Sequence, residues 1–204
     1  AGLLGHFNAL SVRERDGATI VQNLLGFSPE IVADPTFLLT DSQWKSFAEM
    51  PDISTPYVLV YSFGSTHLEQ LALEKAKQIH GIVINVNRSM PSANRQITRC
   101  VAPTPEQFVG LIYGAEYVVT NSFHGMALSL NLNKQFSLFL NTYSKAENTN
   151  PRFYSLAEMF EITNHIRNFD HGLSPDVVPY DIVNEHINSL REKSYHFLKK
   201  AIDD

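Results

Sequence analysis

Short apolar runs alternate along this chain with longer stretches in which apolar side chains recur every three or four positions. Unbroken short runs fit strands buried on both faces, and the 3.6-residue recurrence fits helices with one buried stripe. The alternation predicts an α/β fold, a parallel sheet flanked by helices. Strands are expected over 9–12, 30–33, 57–61, 82–86, 117–120 and 136–140. Between and after them, the periodicity predicts helices over 16–25, 44–50, 66–80, from 104 onward, and over 125–132, 152–160 and 180–202. Punctuation supports these boundaries. Gly26 and Gly81 follow two of the helices, and Thr104-Pro105 with Gln107 reads as a capping box. Asp41 and Ser42 are the cap candidates for the short helix around Trp44. In the last helix, Ile182, Val183, His186, Ile187, Leu190, Phe197 and Ala201 fall on one side. Polar loops are expected around Arg88, Pro91 and Arg95, and over 141–151.

With 204 residues, 44% hydrophobic and 18% charged, the chain suits one globular domain spanning 1–204. A net charge of -5 with scattered Lys and Arg argues against nucleic acid as a partner. Cys100 is alone, so no intrachain disulfide can form, and no Cys/His spacing resembles a zinc site, so no metal is expected. No apolar run approaches the ~20 residues that span a bilayer, and the first residues lack a signal-peptide pattern. A cytoplasmic setting fits these features. The start at Ala1, without an initiator Met, points to a piece of a longer protein.

The densest cluster of candidate chemistry is Thr120-Asn121-Ser122-Phe123-His124-Gly125, where the last residue of a strand runs into a helix. Parallel sheets bind ligands beyond the carboxyl ends of their strands, where helix N-termini present unpaired N–H groups to anions. Two readings of the turn stand. In one, Asn121, Ser122 and His124 face an anionic ligand, and Gly125 leaves room for the ligand or for neighbouring backbone. In the other, Asn121 and Ser122 cap the helix and His124 is a satisfied surface or core histidine. Asp34, between a strand and Pro35, is either functional or a turn residue. Tyr61 and Ser62 end a strand and either line the same cleft or pack. Lys134 is expected to be solvated, Glu14 and Arg15 to form exposed ion pairs, and His165, His171, His186 and His196 to have no metal role.

The segment Val118-Val119-Thr120-Asn121-Ser122-Phe123-His124-Gly125-Met126-Ala127-Leu128-Ser129, with Asn133-Lys134-Gln135-Phe136 after it, resembles the signature of bacterial polysaccharide pyruvyl transferases. Ala9-Leu10-Ser11-Val12-Arg13-Glu14, Asp34-Pro35-Thr36-Phe37-Leu38-Leu39 with Trp44, and Thr104-Pro105-Glu106-Gln107-Phe108 are similar to further segments of that family, in its order. The resemblance covers about residues 9–160. It implies two Rossmann-like domains facing each other across a cleft, as in B-type glycosyltransferases, with this chain the second, donor-binding half and its N-terminal domain absent. It implies phosphoenolpyruvate as donor substrate, no cofactor, a saccharide or lipid-linked saccharide as acceptor, and a place in surface polysaccharide (exopolysaccharide) biosynthesis, in the cytoplasm or at the inner face of the membrane. An isolated half is expected to be inactive.

The same resemblance puts the acid/base role on His124 and donor-anion binding on Arg13. Some members of the family carry arginine-leucine-histidine-glycine at the turn, where this chain has Ser122 and Phe123 before His124 and Gly125. Asn121 and Ser122 would then bind the anion as neutral donors, with Arg152 the candidate to replace the missing arginine. The competing functions are half of a nucleotide-sugar-dependent glycosyltransferase and a non-catalytic sugar-binding module.

Overall fold

A computed structural model describes residues 2–62, 66–86, 97–100, 102–140, 151–168 and 170–203, with the side chains of 98–100 outside the description. The segment of Arg88, Pro91 and Arg95, and residues 141–150 of the second predicted loop, fall outside the described residues.

Eight strands and seven α-helices alternate among the described residues. A small parallel pair, β1 (Ser11–Val12) and β2 (Glu30–Ile31), is bridged by α1 (Arg15–Leu25). Then follow α2 (Asp41–Phe47), β3 (Tyr57–Tyr61), α3 (Thr66–Gln78), β4 (Ile82–Val86), β5 (Ile97–Cys100), α4 (Pro105–Gly114), β6 (Tyr117–Thr120), α5 (Phe123–Asn131), β7 (Phe136–Phe139), α6 (Pro151–Met159), β8 (Ile166–Arg167) and α7 (Tyr180–Asp203). The six strands β3 to β8 form one sheet in the order β5-β4-β3-β6-β7-β8, every neighbour parallel. The fold is thus the expected α/β class, a Rossmann-like parallel sheet flanked by helices.

Strand alternation divides the core in two. Tyr57, Leu59, Ile84, Val118, Phe136 and Leu138 face one side, where α4, α5, α6 and α7 pack. Val58, Val60, Val83, Val119 and Phe139 face the other, covered by Leu68, Leu71, Ala72 and Ala76 of α3. Both faces are dry, which explains why the strands read as continuous apolar runs instead of alternating ones.

Helix ends follow from local chemistry. Gly26 closes α1 with φ +78°, a conformation that costs a residue with a Cβ. Thr104 and Gln107 form the capping box read from the sequence. At α2 the cap is Thr40, again in a box with Gln43, so Asp41 and Ser42 lie inside the first turn instead of before it. Two edge strands were not anticipated. β5 holds one buried apolar residue, Ile97, in an otherwise polar stretch, and β8 is two residues long. Edge strands bury little and leave little pattern.

The order of the strands places the site. From β3 the sheet grows outward through β4 and β5, and from β6 it grows the other way through β7 and β8. β3 and β6 are neighbours, so successive connections diverge at their carboxyl ends, the switch point where such sheets bind ligands. Thr120 and the start of α5 lie there.

Candidate functional site

The inner side of the β6–α5 turn is closed by its own hydrogen bonds. Thr120, fully buried, donates its hydroxyl to the Tyr61 carbonyl at 2.7 Å, tying the end of β6 to that of β3. The same oxygen accepts from the Ser122 amide at 3.0 Å. Ser122 is the N-cap of α5, its hydroxyl accepting from the Gly125 amide at 3.5 Å. The capping alternative therefore describes the geometry of Ser122, and Asn121 beside it is buried as well. The helix begins at Phe123, two residues earlier than its apolar period predicts, so His124 sits within its first turn.

Gly125 has a definite packing reason to be glycine. A Cβ there would stand 2.3 Å from the Thr120 Oγ1 and 3.2 Å from the Tyr61 ring. The close approach within the protein comes from side chains of the sheet, not from backbone. Tyr61 packs edge-on to Phe108, ring centroids 4.7 Å apart, and supports the turn from beneath. Ser62, next in the chain, is buried.

The outer side of the turn is different. His124 is exposed. Its ring meets the Phe123 ring edge to face, at a centroid separation of 5.7 Å. Two guanidiniums lie over the same phenyl ring, Arg13 at 4.9 Å and Arg152 at 5.6 Å from its centroid. Arg13 arrives from just beyond β1, Arg152 from the first turn of α6. One aromatic ring thus gathers an imidazole and two cations from three separate elements. Arg13, Glu14, Asp34, Phe123, Arg152 and Met159 all line the narrow crevice there.

Asp34 fixes Arg13. The Arg13 Nη1 donates to the Asp34 Oδ2 at 2.7 Å, while the Asp34 Oδ1 accepts from the Thr36 amide at 3.0 Å and hydroxyl at 2.8 Å. Burial alone would raise the carboxyl pKa, but the two Thr36 donors and Arg13 outweigh it and hold Asp34 below its ordinary value. Both its oxygens are engaged, so its geometry is that of a residue orienting Arg13. Among the described residues Arg152 has no carboxylate partner, and its buried Nε has no hydrogen-bond acceptor. Burial, then the like charge of Arg13, pull its pKa down, with Glu14 opposing.

The structure therefore brings Arg13, Arg152 and Asp34 into one crevice with Phe123, leaves His124 exposed beside that phenyl ring, and places Ser122, Gly125 and Tyr61 in the turn's support, with Asn121 buried next to them. Phe123 is the residue that sequence reasoning passed over. Its signal was its place, an aromatic beside the candidate histidine. Lys134 is not solvated as expected but half-buried, its Nζ 5.2 Å from the Tyr113 ring centroid, with burial lowering its pKa. His165 is buried against Phe136, whereas His171 is exposed and His186 half-buried. No group of three or more metal-ligating side chains occurs among the described residues, nor any helix long and apolar enough to cross a membrane. The site's charges suit an anion.

Comparison with known proteins adds two findings. The polysaccharide pyruvyl transferase family model matches residues 1–143. Among solved structures, the UDP co-structure of MnaA from S. aureus superposes with a TM-score of 0.50 at 9% identity, over 93% of this chain and 53% of that one. A UDP-GlcNAc 2-epimerase from Neisseria meningitidis bound to UDP-GlcNAc follows at TM-score 0.47 and 11% identity, over 95% of this chain and 55% of that one. The ADP-heptose LPS heptosyltransferase II of E. coli has a TM-score of 0.35 and 15% identity, over 83% and 55% of the respective chains. At such identities the likeness concerns the fold alone. The chain spans about half the length of these structures. No curated protein matches it.

Proposed function

The chain belongs to the polysaccharide pyruvyl transferase family, and from that premise we propose that it carries the donor site of an enzyme that moves the pyruvyl group of phosphoenolpyruvate onto sugar hydroxyls as a ketal. The observation that carries the reading is the convergence of Arg13 and Arg152 on the Phe123 ring beside the exposed His124. Two guanidiniums held against one ring repel each other, and a bound dianion relieves that repulsion. Phosphoenolpyruvate offers two anionic groups, a phosphate and a carboxylate, a short distance apart, and guanidiniums bind both in bidentate fashion. In this reading Arg152 takes the place of the arginine that some members of the family carry where this chain has Ser122.

The chemistry needs a proton delivered to the donor's methylene carbon, which leaves its neighbour electron-poor and open to attack by a sugar hydroxyl oxygen. That hydroxyl releases its proton. A second hydroxyl then displaces phosphate at the same carbon, giving up its proton to the departing phosphate, and the products are the cyclic ketal and inorganic phosphate. An imidazole can both give and take protons near neutral pH, and in this reading His124 serves the exchange. The arginines steady the carboxylate and the departing phosphate. The acceptor is a saccharide or lipid-linked saccharide of surface polysaccharide biosynthesis, bound largely by the part of the protein outside this chain.

Thermal unfolding of the chain with and without phosphoenolpyruvate tests the donor. Millimolar phosphoenolpyruvate should raise the melting temperature, and Arg13→Met together with Arg152→Met should abolish the rise. A rise with UDP- or GDP-sugars and none with phosphoenolpyruvate would overturn the proposal in favour of a nucleotide-sugar site. No response to either donor class would favour a sugar-binding module.

A further inference from the structure

Residues 33–39 form a strap that carries Asp34 past three helices, and each of its last four carbonyls, from Thr36 to Leu39, is held by a side chain. Before Asp34, the Ala33 amide donates to the buried Ser194 hydroxyl at 2.7 Å. After it, the Thr36 carbonyl accepts from the Trp44 indole at 2.9 Å and the Asn131 amide at 2.6 Å. The Phe37 carbonyl accepts from the Arg191 Nε at 2.8 Å, and the Leu38 carbonyl from the Tyr195 hydroxyl at 2.8 Å. The Leu39 carbonyl accepts from Arg191 Nη2 at 3.1 Å and from Asn131 at 3.3 Å.

Arg191 is the centre of this arrangement. Its planar fork reaches two carbonyls of the strap and, at 3.3 Å, the Asn131 side-chain oxygen. Its hydrogen bonds among the described residues all go to neutral oxygens, and it sits at the carboxyl end of the 3-10 turn Pro35–Phe37, where a cation is favoured. Asn131 ends α5, the helix whose first turn carries Phe123 and His124. Arg191, Ser194 and Tyr195 all belong to α7, beyond the residues that the family match covers.

We infer that Arg191 of α7 is a positioning residue for the donor site: by clamping the strap to α5, it fixes Asp34 and through it the guanidinium of Arg13. The role of Arg13 as an anion ligand rests on the reading above, whereas its immobilisation does not. The test therefore has two arms. In the first, NMR of the labelled arginine side chains, without any ligand, follows rotation of the Arg13 guanidinium in the wild type, in Arg191→Met and in the milder Ser194→Ala. Rotation should be slow in the wild type and speed up about tenfold in Arg191→Met, the effect of losing roughly one net hydrogen bond's worth of restraint. The second arm measures phosphoenolpyruvate affinity, and transfer in the full-length protein. Affinity should fall about tenfold with kcat changed less than about twofold, a split that general loosening of the fold would not give.

An Arg13 guanidinium that rotates no faster in a folded Arg191→Met, or loss of the fold in both variants, overturns the inference and makes α7 purely structural. If the wild type fails to bind phosphoenolpyruvate while Arg191→Met still frees Arg13, the clamp stands and the donor assignment falls.

Discussion

The two sides of the first turn of α5 lie a residue apart and do opposite things. On the inner side, Thr120, Ser122 and Gly125 meet hydrogen-bond and packing needs set by the sheet. On the outer side, His124, Arg13 and Arg152 are gathered on one ring, with charge left over for something outside the fold. A polar side chain at a strand's carboxyl end is thus no sign of a ligand until its partners are counted. The inner residues act on the site only by holding Phe123 and His124 where they are. Substitutions on the two sides should separate accordingly, into losses of rate and losses of stability.

The largest separation is expected at His124. His124→Ala removes an exposed ring, so stability should change by no more than about 0.5 kcal/mol. Transfer by the full-length protein should drop by about 10²- to 10⁴-fold, the usual weight of a positioned acid or base. Phosphate release from phosphoenolpyruvate in the presence of acceptor is the measurement. Undiminished release in a folded variant would remove His124 from the chemistry and leave the outer side as an anion clamp only.

The contrast was only half legible in the sequence, for physical reasons. Central strands such as Tyr57–Tyr61 and Ile82–Val86 were readable to the residue because burial on both faces writes an unbroken apolar run. β5 and β8 left no such run, since an edge or a two-residue strand buries too little. At the site, His124 and Arg13 were visible through the family resemblance. Arg152 was visible because a charge missing at 122 had to be sought elsewhere. What could not be read were interactions that join distant segments. Asp34 orienting Arg13 spans 21 positions, and Arg191 clamping the Phe37 carbonyl spans 154. No local period records either. Asp34 read as a turn residue or a ligand, and it is a turn residue whose free oxygen is occupied by Arg13.

The next effect in size lies on the inner side. Gly125→Ala would force a methyl group to within 2.3 Å of a buried oxygen that already bonds Tyr61 and Ser122. Overpacking of this kind costs roughly 1–3 kcal/mol, and the upper part of that range is expected because both neighbours belong to the sheet. Urea unfolding should show a lowered midpoint with an unchanged slope. Transfer should decline as well, because a shifted α5 carries His124 with it. An unaltered midpoint would mean that the turn yields easily, and that the inner residues do not set the position of the imidazole.

Ser122 provides the finest test of the comparison, because it is the polar residue nearest the boundary between the two sides. As a cap whose bond to the Gly125 amide is long, at 3.5 Å, it should contribute toward the low end of capping energies. Ser122→Ala should then cost about 0.5–1 kcal/mol in urea unfolding. Phosphoenolpyruvate affinity should stay within about twofold, since the hydroxyl is buried and already faces the helix. A tenfold loss of affinity at unchanged stability would reverse the assignment, making the serine a donor ligand and drawing the boundary between the two sides one residue further inward. Ser122→Arg extends the same test. If Arg13 and Arg152 already supply the charge that the donor requires, a third guanidinium should bring no gain in affinity and only the cost of breaking the cap.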